Sequence, residues 1–113
     1  MKKKKLPYKD NGECYEVSAK MVMDAWIRDK TTKLVLVHGV IPKRGVVPEH
    51  GHAWVEDGDE CIDNSTGKNI RMPRELYYAL GEITVTKKYT ADQTAKKLLK
   101  HKHYGHWDLN VKF

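Results

Sequence analysis

The stretch of sequence that decides the fold covers residues 51–63 and reads GHAWVEDGDECID. Its Asp57-Gly58 dipeptide is among the strongest signals for a two-residue β-hairpin loop. The residues on both sides, over 52–56 and 60–63, have the composition of strands. These two segments are therefore predicted to form an antiparallel pair.

The register of this hairpin predicts a pair of side chains with a chemical role. A two-residue loop sets three pairs of residues opposite each other: Glu56 and Asp59, Trp54 and Cys61, and His52 and Asp63. Directly opposed residues have Cβ atoms about 4.5–5.5 Å apart. A carboxylate at that distance can hydrogen-bond one imidazole nitrogen and raise the basicity of the other. We therefore predict that Asp63 orients His52 as a base.

Residues 14–28 are predicted to form a helix that carries Cys14 in its first turn. No Gly or Pro interrupts this run, and apolar residues recur at spacings of three and four. The apolar run 34–41 is too uniform for a surface strand and predicts a central one. A loop rich in Pro and Gly follows over residues 42–51.

The C-terminal half is predicted to add two helices and a strand. Pro73 suits the first position of a short helix, and Gly81 is placed to cap its C-terminus. Residues 83–86 alternate like a strand, and Thr90 with Gln93 forms the pattern of a capping box at the start of the last helix. The residues of that helix expected to face the core are Ala91, Ala95, Leu98 and Leu99. The predicted fold class is α+β, with a leading helix on a small, mainly antiparallel sheet.

The length and composition fit one domain. The chain has 113 residues, too few for a separate cofactor-binding domain beside a catalytic one. Hydrophobic residues make up 40% and charged residues 32%, with a mean hydropathy of -0.70, which is polar but leaves enough apolar residues for a core. We expect residues 1–9 to be a basic flexible tail and residues 10–113 to be the domain.

Signals for membrane insertion and secretion are not found in the sequence. No apolar run approaches the roughly 18 residues that a membrane-spanning helix needs. The lysines at residues 2–5 have the charge of a signal peptide, but no apolar stretch follows them. We therefore expect a soluble cytoplasmic protein without a membrane partner, in which Cys14 and Cys61 are free thiols.

The basic charge leaves a nucleic-acid partner open as an alternative. The formal net charge is +6 at pH 7, and such an excess attracts polyanions. The lysines are scattered, however, without the interleaved aromatic residues that a base-stacking platform requires. A solvated basic surface is the simpler interpretation.

Cys14 is the candidate nucleophile for the His52 base. Backbone N–H groups and the positive end of the helix dipole stabilise a thiolate in the first turn of a helix. Glu13 and Glu16 oppose this effect, so His52 has to supply most of the stabilisation.

Taken together, these residues resemble a known family. Cys14 at a helix start, followed by Gly51–Glu56 and Ile62–Ser65, resembles the transglutaminase-like branch of the papain-like cysteine protease superfamily. The order Cys, His, Asp and the Cys to His interval match that family. The His to Asp interval is shorter than in most members, and Asn64 stands where many members have Pro.

The resemblance implies a fold, an activity and a role for three residues. The fold is a helix with a nucleophilic Cys at its start, packed on a sheet whose adjacent strands carry His and Asp. Carried over to this chain, it makes Cys14 the nucleophile, His52 the base and Asp63 the orienting acid. The implied substrate is a protein or peptide. Its acyl group is transferred from an amide or ester to water or to an amine. Residues 73–113, with Tyr104–Trp107, are instead similar to small phage and bacterial proteins of no known activity.

Three further residues have two interpretations each. Asn11 is either an oxyanion donor or a plain helix N-cap, and Trp54 either shields the His52–Asp63 pair from water or simply fills the core. His38 is a rival base or, the better interpretation, a core histidine satisfied by backbone groups.

A catalytically silent binding protein, phage-encoded and engaging a host factor, is the alternative to an enzyme.

No metal and no cofactor are expected. Zinc-compatible donors are present, but they lack the spacing of a zinc site, such as two close pairs of cysteines. These donors are Cys14, Cys61, His50, His52, His101, His103 and His106.

Overall fold

The structure is a computed structural model that describes residues 13–65, 67 and 69–109. The expected tail at residues 1–9 and the candidate Asn11 lie outside the described residues. Within these ranges the chain folds as a small α+β domain with an antiparallel sheet, as predicted. The elements in chain order are α1 (Glu13–Arg28), β1 (Val35–Ile41), β2 (His50–Asp57), β3 (Glu60–Asp63), β4 (Ile70–Pro73), α2 (Arg74–Gly81), β5 (Thr86–Tyr89) and α3 (Ala91–His101).

The five strands form one sheet in the order β4-β3-β2-β1-β5, and every neighbouring pair is antiparallel. Consecutive side chains of a strand point to opposite faces of the sheet, and here both faces are covered. On one face Leu36, Val55 and Ile62 pack with residues of α1. On the other face Trp54 and Cys61 pack with tyrosines of α2 and with Ile83. β1 and β2 are therefore the central strands, as the uniform apolar run 34–41 predicts.

The helix α1 presents a narrow buried stripe to the sheet. Tyr15, Ala19 and Val22 lie three or four residues apart and are buried, which is the spacing of one helix face. α1 and α3 also contact each other, so the two helices share that face of the sheet. None of the helices in the described part of the chain is long and apolar enough to cross a membrane.

The hairpin forms, but its predicted register is wrong. Asp57 pairs with Glu60 and Glu56 pairs with Cys61, so the loop is Gly58-Asp59 rather than Asp57-Gly58. Gly58 has a φ of +62°, and a two-residue loop with glycine in its first position needs this conformation at that residue alone. The loop predicted from Asp57-Gly58 requires positive φ at Asp57 as well, which is costly for a residue with a side chain.

The register differs from the prediction by two residues, and this preserves the faces. Because the side-chain period of a strand is two, each residue still points to the face that was predicted for it. Three predicted pairs are nevertheless absent: Glu56 with Asp59, Trp54 with Cys61, and His52 directly opposite Asp63.

The region around α2 differs from the prediction in its boundaries. β4 was not predicted, and Pro73 is its last residue and the N-cap of α2 rather than the first helical position. The left-handed position after α2 is taken by Glu82 at φ +53°, not by Gly81. A Cβ on Gly81 would lie 3.0 Å from the Ile83 side chain, so this glycine makes room for close packing instead.

The last strand and the last helix are partly as predicted. β5 covers Thr86–Tyr89 instead of 83–86, because the backbone N–H of Ile83 is used to close α2 on Tyr78. The capping box of Thr90 and Gln93 is present. Leu99 was expected to face the core but is exposed, and the buried residues of α3 are Ala91 and the polar Thr94.

Candidate active site

His52 and Asp63 form a hydrogen bond, as predicted from the hairpin. His52 Nε2 lies 2.8 Å from Asp63 Oδ2, and both side chains are largely buried. The pairing of Val55 with Ile62 puts the two residues diagonally across the strands rather than directly opposite. Diagonal neighbours on one face are within reach of long side chains, so the two-residue change of register does not break the contact.

Both oxygens of the Asp63 carboxylate accept hydrogen bonds. The backbone N–H and the hydroxyl of Ser65 donate to Oδ1 at 2.9 and 2.6 Å. The Tyr77 hydroxyl donates to Oδ2 at 2.7 Å, the same oxygen that His52 contacts. Burial raises the pKa of Asp63, but the hydrogen bonds from His52, Ser65 and Tyr77 outweigh this and hold the pKa well below its usual range.

Tyr77 is a neutral hydrogen-bond donor. Burial raises the pKa of the Tyr77 hydroxyl, and the neighbouring Asp63 carboxylate raises it further. Negative charge on Cys61 or Cys14 acts in the same direction, so both cysteines lie within electrostatic range of Tyr77.

Cys14 is the second residue of α1, with its side chain only 2% exposed. It packs in a small cluster with Tyr15 and Ala53, and Ala53 directly follows His52 on β2. Among the described residues, the backbone ladder from β2 to β3 ends at Val55 and Ile62. The ladder therefore stops short of His52, which Asp63 reaches from β3 through its side chain, while the start of α1 contacts β2 at the next residue, Ala53.

Trp54 fills the core, which is one of the two interpretations of its sequence position, and its shielding of the His52–Asp63 pair from water stays a prediction. Its side chain is fully buried and packs with Val37 and Cys61, so it fills the core. Its ring centroid also lies 6.0 Å from that of His52. Its indole N–H donates to Glu56 at 3.2 Å, so the ring is fixed in orientation.

His38 lies on the other face of the sheet and is not satisfied by backbone groups. The rings of Tyr15, Tyr89 and Trp107 surround it, with centroids 5.0, 5.2 and 4.9 Å away. Neither ring nitrogen has a hydrogen-bond partner among the described residues. Burial, together with the nearby His106, lowers the pKa of His38 to about 3, so this imidazole is neutral. The expectation of a histidine bonded to the backbone is therefore wrong, because aromatic rings rather than carbonyl groups enclose it.

Glu56 is a buried carboxylate that sequence reasoning did not single out. It accepts hydrogen bonds from Trp54, Tyr78 and Lys88, and the Arg74 guanidinium lies 3.6 Å away. Although burial raises the pKa of Glu56, these donors lower it by more. Glu56 also faces Cys61 across the hairpin.

Cys61 is an unreactive thiol by its surroundings. Its Sγ lies 3.8 Å from a Glu56 oxygen, and burial and that carboxylate raise the pKa of the thiol to about 12. Neither cysteine is in a disulfide bond among the described residues. Cys61 therefore serves as an internal reference for Cys14.

Two residues of the site were missed by the sequence prediction. Ser65 had a local signal, since Asp63-Asn64-Ser65 has the pattern of a turn in which an aspartate side chain accepts from the backbone two residues on. Tyr77 had none, because its contact with Asp63 depends on how α2 packs on the sheet. Sequence spacing within a helix does not report that packing.

The histidines proposed as zinc donors are distributed over several elements. His50 Nδ1 contacts the carbonyl of Pro48 at 2.9 Å, while the rings of His101 and His103 lie near each other at the end of α3. Within residues 13–65, 67 and 69–109, no group of three or more His, Cys, Asp or Glu side chains is arranged to hold a metal ion.

Comparisons with known proteins return no relative for this chain. No protein-family model matches it, and neither a curated protein nor a solved structure matches it. The chemical interpretation of the site therefore depends on the residues and contacts described above.

Proposed function

We propose that the chain is a thiol-dependent hydrolase or acyltransferase with a papain-like core. Cys14 is the nucleophile, His52 the base and Asp63 the residue that orients the base. The observation that carries this proposal is the 2.8 Å hydrogen bond between His52 Nε2 and the Asp63 carboxylate, on a strand whose next residue, Ala53, packs with a cysteine at a helix start. A carboxylate, an imidazole and a helix-terminal thiol are the groups that activate a sulfur nucleophile.

The chemistry assigns a different task to each imidazole nitrogen. With Nε2 on Asp63, Nδ1 is the nitrogen that takes the proton of Cys14. The thiolate attacks the carbonyl carbon of an amide or ester, and backbone N–H groups at the start of α1 hold the oxyanion. The C–N or C–O bond then breaks, and His52 gives its proton to the departing amine or alcohol. Water or an amine finally attacks the thioester and releases Cys14.

The substrate and location follow from the same proposal. The acyl donor is a protein or peptide, and the acceptor is water in a peptidase, deamidase or amidase and an amine in a transglutaminase. Two cysteines that form no disulfide among the described residues fit a reducing compartment, so we place the protein in the cytoplasm.

A second candidate function is a catalytically silent binding protein on the same fold. The observation that favours it is the burial of the Cys14 side chain, which is only 2% exposed. A carbonyl group has to reach the sulfur for catalysis, whereas a binding protein needs no such access.

Alkylation by iodoacetamide at pH 6 distinguishes the two candidates. An ordinary thiol with a pKa of about 8.5 is almost entirely protonated at this pH, whereas a cysteine paired with an imidazolium is largely ionised. We expect Cys14 to be alkylated at pH 6 at least tenfold faster than free N-acetylcysteine under the same conditions, as measured by intact mass and peptide mapping, whereas Cys61 should stay unmodified because its thiol pKa is about 12.

His52→Ala should reduce the Cys14 rate to that of an ordinary thiol. His50→Ala is the matched control, because His50 lies on the same strand but its side chain hydrogen-bonds the Pro48 carbonyl. A Cys14 rate at pH 6 no higher than that of N-acetylcysteine, or equal losses in the two histidine variants, would contradict the proposal and favour the silent binding protein.

A further inference from the structure

A cavity of about 260 Å³ lies directly beside the His52–Asp63 pair. Its walls come from both central strands, from β3 and β4, and from α2. Apart from the pair itself, the wall is mainly aliphatic and includes Ile41, Met72, Leu80 and Ile83. Leu80 is 56% exposed, so it marks the mouth of the cavity.

The volume fits a single side chain. An apolar cavity of about 150 Å³ already holds a benzene ring, whereas pockets for drug-sized ligands begin at about 300 Å³. A volume of about 260 Å³ is therefore enough for a leucine or phenylalanine side chain and too small for a nucleotide or a similar cofactor.

The polarity of the wall selects an apolar group. Both Asp63 oxygens already accept hydrogen bonds, from Ser65 and from His52 and Tyr77. The residues that line the cavity include no Lys or Arg. A charged or amide side chain would lose its hydration there without gaining a hydrogen-bond partner. Moving such a group from water into apolar surroundings is unfavourable by several kcal/mol.

We propose that this cavity binds an apolar side chain of the substrate, of leucine to phenylalanine size, and thereby sets the substrate class. The inference rests on the proposed function, because the side chain belongs to the residue whose carbonyl meets Cys14. Binding in the cavity places that residue against the imidazole that exchanges a proton with the thiol.

Binding is measured by NMR on the full chain carrying Cys14→Ser, which prevents covalent reaction. The probes are N-acetyl-leucinamide and N-acetyl-alaninamide, and the reporter is the methyl group of Met72 in the cavity wall. Met21 and Met23 are internal controls, because they pack against the core on the α1 face. We expect the leucine probe to shift Met72 alone and to bind at least about tenfold more tightly than the alanine probe, since each buried CH₂ favours binding by about 0.8 kcal/mol. Equal binding of the two probes, or no shift of Met72, would overturn the inference.

Leu80→Asp and Leu76→Asp form a matched pair of variants on α2. Both leucines are exposed, at 56% and 48%, so neither change removes core packing, and only Leu80 lines the cavity. Leu80→Asp should weaken the leucine probe at least fivefold, while Leu76→Asp should leave its affinity unchanged. An unaffected Leu80→Asp variant would show that the probe binds elsewhere.

A kinetic measurement on the unmodified chain separates this inference from the proposed function. The chloromethyl ketones of N-acetyl-leucine and N-acetyl-alanine alkylate a thiolate with loss of chloride. We expect the leucine reagent to modify Cys14 at least tenfold faster. If iodoacetamide shows an activated Cys14 but the two ketones react equally, the cavity does not select the substrate and only this inference fails. If the leucine probe binds but Cys14 is not activated, the proposed function fails and the cavity remains an apolar binding site.

Discussion

At the scale of single residues, Tyr77 determines how much of the Asp63 charge is available to His52. The Tyr77 hydroxyl and His52 Nε2 both contact the same oxygen of Asp63, Oδ2, at 2.7 and 2.8 Å. A hydroxyl that donates to a carboxylate disperses its negative charge, so the imidazolium next to it is stabilised less. Tyr77 is thus a positioning residue that acts on the base through Asp63.

Tyr77→Phe should raise the midpoint of the His52 titration measured by NMR. Without the hydroxyl, the full charge on Oδ2 faces the imidazole and favours its protonated form. The change should also lower the free energy of unfolding by about 1.5–3 kcal/mol, the usual contribution of a hydrogen bond to a charged group.

Tyr78→Phe is the control for this prediction. Tyr78 is the next residue of α2 and donates in the same way to a buried carboxylate, that of Glu56. Its loss should lower stability by a similar amount and leave the His52 titration where it is. If both variants move the His52 midpoint equally, Tyr77 acts only through the general stability of the fold.

At the scale of elements, the contact of β1 with β2 depends on a glycine in the central strand. Gly39 lies directly opposite His52, and a Cβ at this position would overlap the outer ring atoms of Trp54. The absence of a side chain on β1 therefore leaves room for the indole that lies beside His52.

Gly39→Ala should lower the free energy of unfolding by about 1–3 kcal/mol, the usual cost of overpacking a core. Trp54→Phe removes the atoms that the new methyl group meets, at the cost of the hydrogen bond to Glu56. In urea unfolding, the double variant should therefore be more stable than the sum of the two single changes by about 1 kcal/mol. Additive losses would mean that Trp54 is not the group that requires glycine at residue 39.

Elements were predictable where local chemistry decides them. The capping box of Thr90 and Gln93 and the glycine-containing hairpin turn depend on neighbours in sequence, and both are present. The turn shows the limit of this reasoning, because Asp57-Gly58 and Gly58-Asp59 are both acceptable two-residue loops. The choice between them depends on Asp57, because only the Asp57-Gly58 loop requires a positive φ at that residue.

The candidate site was predictable for the same reason and to the same extent. The His52–Asp63 contact survives a change of register by two residues, since faces alternate with a period of two. Tyr77 and the cavity were not predictable, because they arise where α2 packs on the sheet. The catalytic roles of Cys14, His52 and Asp63 remain predictions.

At the scale of the whole molecule, stability in mild acid depends on a buried histidine. The pKa of His38 in the folded protein is about 3, whereas an unperturbed histidine has a pKa of about 6.5. Protonation therefore favours the unfolded chain. The contribution of neutral His38 to stability is complete above about pH 6.5 and is lost progressively as the pH falls toward 3.

Other titrating groups overlap with this effect only in part. The pKa values of His101 and His106 are also lowered by burial, so they add to the loss in the same direction. The pKa values of the carboxylates of Glu56, Asp63 and Asp108 are lowered as well, but in the unfolded chain these groups begin to take up protons only below about pH 5. The interval from pH 6.5 to pH 5 therefore reports mainly on the histidines.

His38→Leu should make the protein less sensitive to acid in that interval. Its unfolding free energy, measured in urea at several pH values, should fall less steeply than that of the parent, and the difference in slope should approach about 1.4 kcal/mol per pH unit, the value for one proton, toward pH 5. At pH 7 the variant should be at least as stable as the parent, because leucine removes ring nitrogens that have no hydrogen-bond partner among the described residues. His50→Leu is the control, since His50 lies at the start of β2 and is not enclosed by aromatic rings in the described structure. The same slope in the parent and in His38→Leu would show that His38 takes up its proton in the folded state at an ordinary pH, and the aromatic enclosure would then have to open to admit water.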